Sequence, residues 1–186
     1  MDPWVIDIPK ALRWFLVNVL IVPRRKHASA ELYRRVWTSE GSPLLTHTRA
    51  LTEAVAARVP DAVVRFAMRY GNPSIPSVLE ELRRQGVERL DVAALYPQYS
   101  LAASESSVRR VREVLAAMGW AVPVRWVPAF YDDPGFLDAA AAVAAPLLAE
   151  RPFDAVVLSF HGLPERQVQK TDRTGQHCLR GSGCCE

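Results

Sequence analysis

The chain reads as an α/β protein with three layers, in which a parallel sheet is flanked by helices. Three observations lead there. From residue 60 onward, a short apolar run, a loop and an amphipathic stretch follow one another in repeating order. Run, helix, run at this spacing is the βαβ signature of a parallel sheet. The central runs are close to continuously apolar rather than alternating, as strands covered on both faces are. The composition is also ordinary for a globular protein: 49% hydrophobic and 23% charged over 186 residues, enough for one domain or for a domain and part of a second.

The first 60 residues are expected to be helical. Residues 11–22, ALRWFLVNVLIV, are apolar nearly all round, so the segment is either buried or touching something greasy. It is 12 residues long and contains Arg13 and Asn18. A spanning helix needs roughly 20 apolar residues, so this one does not span. The basic triplet Arg24-Arg25-Lys26 follows, then a short helix over 29–36 with Tyr33, Arg34 and Arg35. Ser42-Pro43 supplies an N-cap and a proline at the first helical position. The helix it starts carries Leu44, Leu51 and Val55 on one face and ends near Arg58, before Pro60.

The first strand is expected over 62–68, followed by a loop at 69–73 and a helix over 74–85 that Gly86 stops. The second strand, 90–95, leads through a loop at 96–100 to a helix that runs to about Met118 and is closed by Gly119. The third, 122–127, leads through 128–134 to an Ala-rich helix ending near Glu150. The fourth, 155–160, runs into His161-Gly162-Leu163-Pro164.

Several functions are disfavoured. A net charge of +3 with no concentrated basic stripe does not suit a nucleic-acid partner. Neither G-x-G-x-x-G nor G-x-x-x-x-G-K-[ST] occurs, so a nucleotide site is unsupported. The three cysteines, Cys178, Cys184 and Cys185, fall in the last nine positions and cannot build a disulfide framework. The Cys-free remainder suits a reducing, cytoplasmic compartment. Met1-Asp2-Pro3 lacks the basic start of a signal peptide.

In parallel sheets, ligands bind outside the carboxyl ends of the strands. Here those ends carry Arg69, Tyr70, Tyr96, Tyr99, Ser100, Phe130, Tyr131 and His161, an aromatic and polar set that suits a large flat ligand. His161 is the sharpest signal. Gly162 and Pro164 turn the chain after it, and an imidazole binds metals and moves protons near neutral pH; the plainer alternative is a structural loop histidine. Arg69-Tyr70 could hold a carboxylate or stack on a ring, or form an ordinary surface pair. Arg24, Arg25 and Lys26 could meet ligand carboxylates or lipid head groups, or form a solvated loop. The tail His177-Cys178-x5-Cys184-Cys185 has a metal-like donor set, against the alternative of a reactive cysteine group.

At this point the residues resemble the ferrochelatases, which insert ferrous iron into a porphyrin. The resemblance rests on Asp2-Pro3-x-Val5-Ile6-Asp7-Ile8-Pro9, on Glu40-Gly41-Ser42-Pro43-Leu44 with Arg24-Arg25 and Tyr33, and on Met68-Arg69-Tyr70-Gly71-Asn72-Pro73. It rests further on Leu95-Tyr96-Pro97-Gln98-Tyr99-Ser100 and, most specifically, on Ser159-Phe160-His161-Gly162-Leu163-Pro164. It implies two similar domains with the porphyrin, protoporphyrin IX or coproporphyrin III, in the cleft between them and Fe2+ as the second substrate. His161 falls on the family's active-site histidine, as iron ligand or acceptor of a pyrrole proton. Arg69 and Tyr70 fall on cleft positions linked with metal delivery. Arg25, Tyr33 and Ser42 fall on positions facing the propionates, and Tyr96 on the cleft-lining loop. Residues 11–22 fall on the pocket lip, which contacts the bilayer in membrane-associated members, so a cytoplasmic protein peripheral to the inner membrane is implied.

By the same resemblance, residues 1–130 form a first domain lacking its first strand and 131–186 begin a truncated second one. The chain is then an inactive fragment, without the carboxylate partner of His161. Cys178, Cys184 and Cys185 resemble the ligands of a [2Fe–2S] cluster found in a bacterial subset, with a fourth cysteine expected beyond the end. The rivals are a cobalt or nickel tetrapyrrole chelatase, a non-catalytic porphyrin- or haem-binding protein, and a peripheral membrane module.

Overall fold

A computed structural model describes residue 6, residues 8–172, residues 174–181 and residue 184. The chain divides into two compact units, Met1–Glu88 with Arg109–Val122, and Arg89–Val108 with Pro123–Glu186.

The first unit opens on helix α1 (Lys10–Phe15), which passes through a π-helical stretch, Leu16–Ile21, into α2 (Val22–Val36). The expected short helix at 29–36 is thus the end of a longer one. Pro23 follows the π stretch closely within this continuous helical run, and it lacks the N–H that the helical ladder would use there. The Asn18 side chain, in the π stretch, donates back to the Trp14 carbonyl of α1 at 2.9 Å. No residue of this helical run is buried.

A tight turn then reverses the chain. Thr38 and Gly41 exchange backbone hydrogen bonds of 3.0 and 3.1 Å, and Gly41 takes φ +114°, open to glycine and costly for other residues. Helix α3 (Pro43–Arg58) starts as expected: the Ser42 hydroxyl accepts from the Leu45 N–H at 3.2 Å, with Pro43 behind it. Leu44, Leu51 and Val55 are exposed along it.

Helix α4 (Ile75–Arg84) has a reciprocal cap. The Ser74 hydroxyl accepts from the Ser77 N–H, and the Ser77 hydroxyl accepts from the Ser74 N–H. Ile75, Val78, Leu79 and Leu82 recur at helical spacing on its buried face. Helix α5 (Ser106–Ala117) contributes Val111, Val114 and Leu115 to the buried residues of the same unit. The Arg83 guanidinium donates to the Met118 carbonyl at 2.9 Å, tying the end of α4 to the end of α5. Gly86 and Gly119 end the two helices at φ +73° and +59°, as expected from sequence.

The second unit holds a two-stranded parallel sheet, β1 (Leu90–Val92) with β2 (Val124–Trp126), in register Leu90–Val124, Asp91–Arg125 and Val92–Trp126. Both strands are shorter than expected, and one face of the sheet is polar. The Arg125 guanidinium makes two hydrogen bonds, 3.0 and 2.9 Å, to the Asp91 carboxylate directly across the ladder. Leu90 is buried on the other face. Helix α6 (Pro134–Ala149) is capped by Asp133, whose carboxylate accepts from the Phe136 N–H at 3.2 Å. Helix α7 (Glu165–Thr171) follows the His161 loop.

Two expected strands do not form ladders among the described residues. The segment 62–68 contributes only a single bridge, Met68 to Ser74. The segment 155–160 is unpaired, and Val157, Leu158 and Phe160 are 86%, 78% and 77% exposed. An apolar run states a need for cover, but a strand also requires a neighbouring backbone to accept and donate its hydrogen bonds.

Candidate active site

Arg69 and Tyr70 stand where the first apolar run turns back toward α4. Met68 N–H donates to the Pro73 carbonyl at 2.7 Å, closing the turn, and Gly71 occupies φ +95° at its tip. The Asn72–Pro73 peptide is cis. The Arg69 guanidinium lies over the Tyr70 ring, 4.8 Å from its centroid, and its Nε is shielded from solvent. Met68, Arg69, Tyr70 and Ser74 line a cavity of about 420 Å3, together with Arg110 and Glu113 of α5. Arg110 donates to the Glu113 carboxylate at 3.2 Å. The cavity therefore carries two guanidinium groups, a carboxylate, a hydroxyl and an aromatic face, a set able to bind an acidic ligand or guide a cation.

Arg110 and Glu113 were not singled out from the sequence. Their spacing of three on α5, flanked by the buried Val111 and Val114, was the available signal.

A second group of expected residues lies past β1 and β2. The Phe130 N–H donates to the Pro97 carbonyl at 3.0 Å, joining the loops that leave the two strands. Tyr96 and Tyr99 are exposed on the first loop and Tyr131 on the second, while Phe130 packs edge-on against Phe136 at 5.5 Å. The Ser100 hydroxyl is committed to local structure and accepts from the Ala103 N–H at 3.1 Å, at the start of a π-helical turn, Leu101–Glu105. His161 is exposed in the loop before α7 of this same unit.

The remaining expected residues sit in the first unit. Arg25 and Tyr33 are exposed on α2, and Ser42 is the half-buried cap of α3. Arg69 and Tyr70 are brought together, as are the aromatic loops past the two strands. Arg25 and Tyr33 lie about two turns apart on one helix, and Ser42 belongs to the cap of the next.

In the tail, Cys178 and Cys184 are half-buried thiols, and Cys185 lies outside the described residues. His177 Nε2 is 3.0 Å from the Cys184 carbonyl, which can only accept, so this nitrogen carries the proton. Asp172 holds the loop between: its carboxylate accepts from Thr174, His177 and Cys178. The Thr174 hydroxyl and the backbone N–H of Cys178 hold the Asp172 carboxyl well below the usual range. Among the described residues, no group of three or more His, Cys, Asp or Glu is placed to share a metal ion.

Parallel strands that end in loops of aromatic faces, in the second unit, and a turn that sets an arginine over a tyrosine, in the first, mark an α/β protein of the kind that binds ligands at strand ends. Within that class the relationship is specific. A family model for ferrochelatase matches residues 1–182, and the chain belongs to the ferrochelatase family. It is 45% identical to a ferrochelatase of Azotobacter vinelandii (strain DJ / ATCC BAA-1303) over 185 residues, and 42% identical to one of Stutzerimonas stutzeri (strain A1501) over 186. A ferrochelatase of Ectopseudomonas mendocina (strain ymp) is 43% identical over 185 residues. Each match covers all of this chain and 54% of the relative, so the chain spans about half the length of the curated relatives it matches.

Proposed function

We propose that this chain is the amino-terminal part of a ferrochelatase that inserts Fe2+ into protoporphyrin IX or coproporphyrin III. The observation that carries the proposal is the family match across residues 1–182, a span that includes the Arg69–Tyr70 turn and the His161 loop. Metalation forms iron–nitrogen bonds to the ring and releases the pyrrole N–H protons. A neutral imidazole can accept such a proton or ligate the arriving ion, and His161 is assigned that role. Arg69 and Tyr70 deliver the metal, with Arg110 and Glu113 setting the charge of their cavity. Arg25, Tyr33 and Ser42 hold the propionates, and Tyr96 supplies a wall to the flat ring. Strain on the macrocycle is drawn from binding the rest of it.

The domain division follows the same proposal, with 1–130 in a first chelatase domain and 131–186 in a second. The 186-residue chain alone is expected to lack turnover, since it spans about half of its relatives. Residues 11–22 form a membrane-touching lip. Leu12, Trp14, Phe15, Val19 and Val22 are all exposed there, ahead of Arg24, Arg25 and Lys26. Among the described residues no helix is long and apolar enough to cross a membrane, and a cytoplasmic, peripheral location is part of the proposal.

Cys178, Cys184 and Cys185 are proposed ligands of a [2Fe–2S] cluster. The donor chemistry fits, because thiols are the ligands such clusters take, and the His177–Cys184 hydrogen bond draws the chain closed between two of them. When bound, the cluster would supply a redox-active cross-link for the tail. His177 acts as the tie of this loop through Nε2. The whole proposal is tested by incubating the full-length protein with Fe2+ and porphyrin and following the loss of porphyrin fluorescence. Fluorescence quenched in step with haem appearance supports it; porphyrin bound without metalation supports a carrier instead.

A further inference from the structure

One carboxylate in the tail makes more hydrogen bonds than a surface loop needs. Asp172 follows α7, and its two oxygens accept four hydrogen bonds from three residues. Oδ1 accepts from the Thr174 N–H at 2.9 Å and from the Thr174 hydroxyl at 2.7 Å. Oδ2 accepts from the adjacent N–H groups of His177, at 2.6 Å, and Cys178, at 2.9 Å. The Thr174 hydroxyl in turn accepts from the Gln176 N–H at 3.2 Å. The last donor on Asp172 is the backbone of a cysteine, so the carboxylate fixes the point from which that thiol projects. At its far end the segment is tied again, by His177 to the Cys184 carbonyl.

We propose that Asp172 is a positioning residue that latches the 172–178 loop and so holds the Cys178 thiol in place for a thiolate-bound metal centre. The proposal rests on the cysteine-ligand assignment above and adds to it the group that orders the site before metal arrives. A ligand already ordered loses less conformational freedom on binding than one drawn from a mobile tail. Groups that orient a ligand without touching the metal typically change affinity by about 10-fold to 100-fold.

Asp172→Asn keeps the shape but leaves one acceptor oxygen where there were two, and it turns an amide N–H2 toward backbone donors. Thr174→Val is the milder change, removing only the hydroxyl. The full-length protein, reduced and anaerobic, is titrated with Cd2+, and the ultraviolet thiolate-to-cadmium charge-transfer band is followed. Amide hydrogen exchange at residues 174, 177 and 178 is measured alongside, with far-ultraviolet circular dichroism to confirm that the helices are retained.

The wild-type chain should develop the band, and Cys178→Ser should reduce it. Asp172→Asn should bind Cd2+ about 10-fold to 100-fold more weakly and exchange faster at those three amides, with Thr174→Val between the two. If Asp172→Asn binds as tightly as wild type, the latch is overturned while the cysteine assignment stands. If the wild-type chain develops no band, the cysteine assignment fails and the latch falls with it. Should Asp172→Asn lose its helices, Thr174→Val decides, and wild-type affinity in that variant contradicts the proposal.

Discussion

Arg69 and Glu81 show how little of a residue's role follows from its charge alone. The Arg69 guanidinium lies over the Tyr70 ring, and Arg69→Lys would keep the charge while losing the guanidinium–ring contact. Thermal unfolding should show a loss of about 0.5–1 kcal/mol, and an unchanged midpoint would mean that the stack does not stabilise the turn. Glu81 accepts from Arg65 at 2.8 Å, and that hydrogen bond lowers its pKa. A carboxylate with a lowered folded-state pKa adds stability above its unfolded value and loses it as pH falls through the folded one. Glu81→Gln should therefore narrow the gap between neutral and acidic urea midpoints, and an unaltered gap would place the acid sensitivity elsewhere. Arg69, Tyr70, Tyr96 and His161 could be singled out from sequence because each follows an apolar run at a turn. Asp172, Arg110 and Glu113 were not, since their roles depend on which backbone groups and cavity walls the folded chain brings to them.

Helices were more legible than strands because their signals are local. Ser42 and Ser74 cap where a Ser-before-helix pattern places them, and Gly86 and Gly119 end helices in the left-handed region. Ser74→Ala removes one half of a reciprocal cap and should cost about 0.5–2 kcal/mol in chemical denaturation. Leu79, 5% exposed on the apolar face of α4, should cost about 2–5 kcal/mol when changed to Ala. A smaller loss at Leu79 than at Ser74 would mean that α4 is held by its end rather than by its face. Strands 62–68 and 155–160 were misjudged for a physical reason. Their apolar pattern states a need for cover, whereas a ladder depends on partners remote in sequence. The pair that did form, β1 with β2, is held in register partly by Asp91 and Arg125, whose opposition could be known only once the register was. Such an exposed cross-strand ion pair contributes about 0.2–1 kcal/mol.

For the whole molecule, the sequence carried the family and the structure carried its local supports. The family match spans residues 1–182 while the chain spans about half of each relative, so activity is a property proposed for the longer protein. The exposed apolar side chains of α1 and the π stretch belong to the same proposal. Trp14→Glu should reduce sedimentation with anionic liposomes, and equal sedimentation would remove residues 11–22 from the membrane lip. The most direct test of the central claim is Fe2+ insertion into porphyrin by the full-length protein, wild type beside His161→Ala, with porphyrin binding measured in both. The expected result is haem formation by the wild type and a loss of about 100-fold or more in the variant, with porphyrin still bound. Equal haem formation by the two proteins, or none by the wild type, would contradict it.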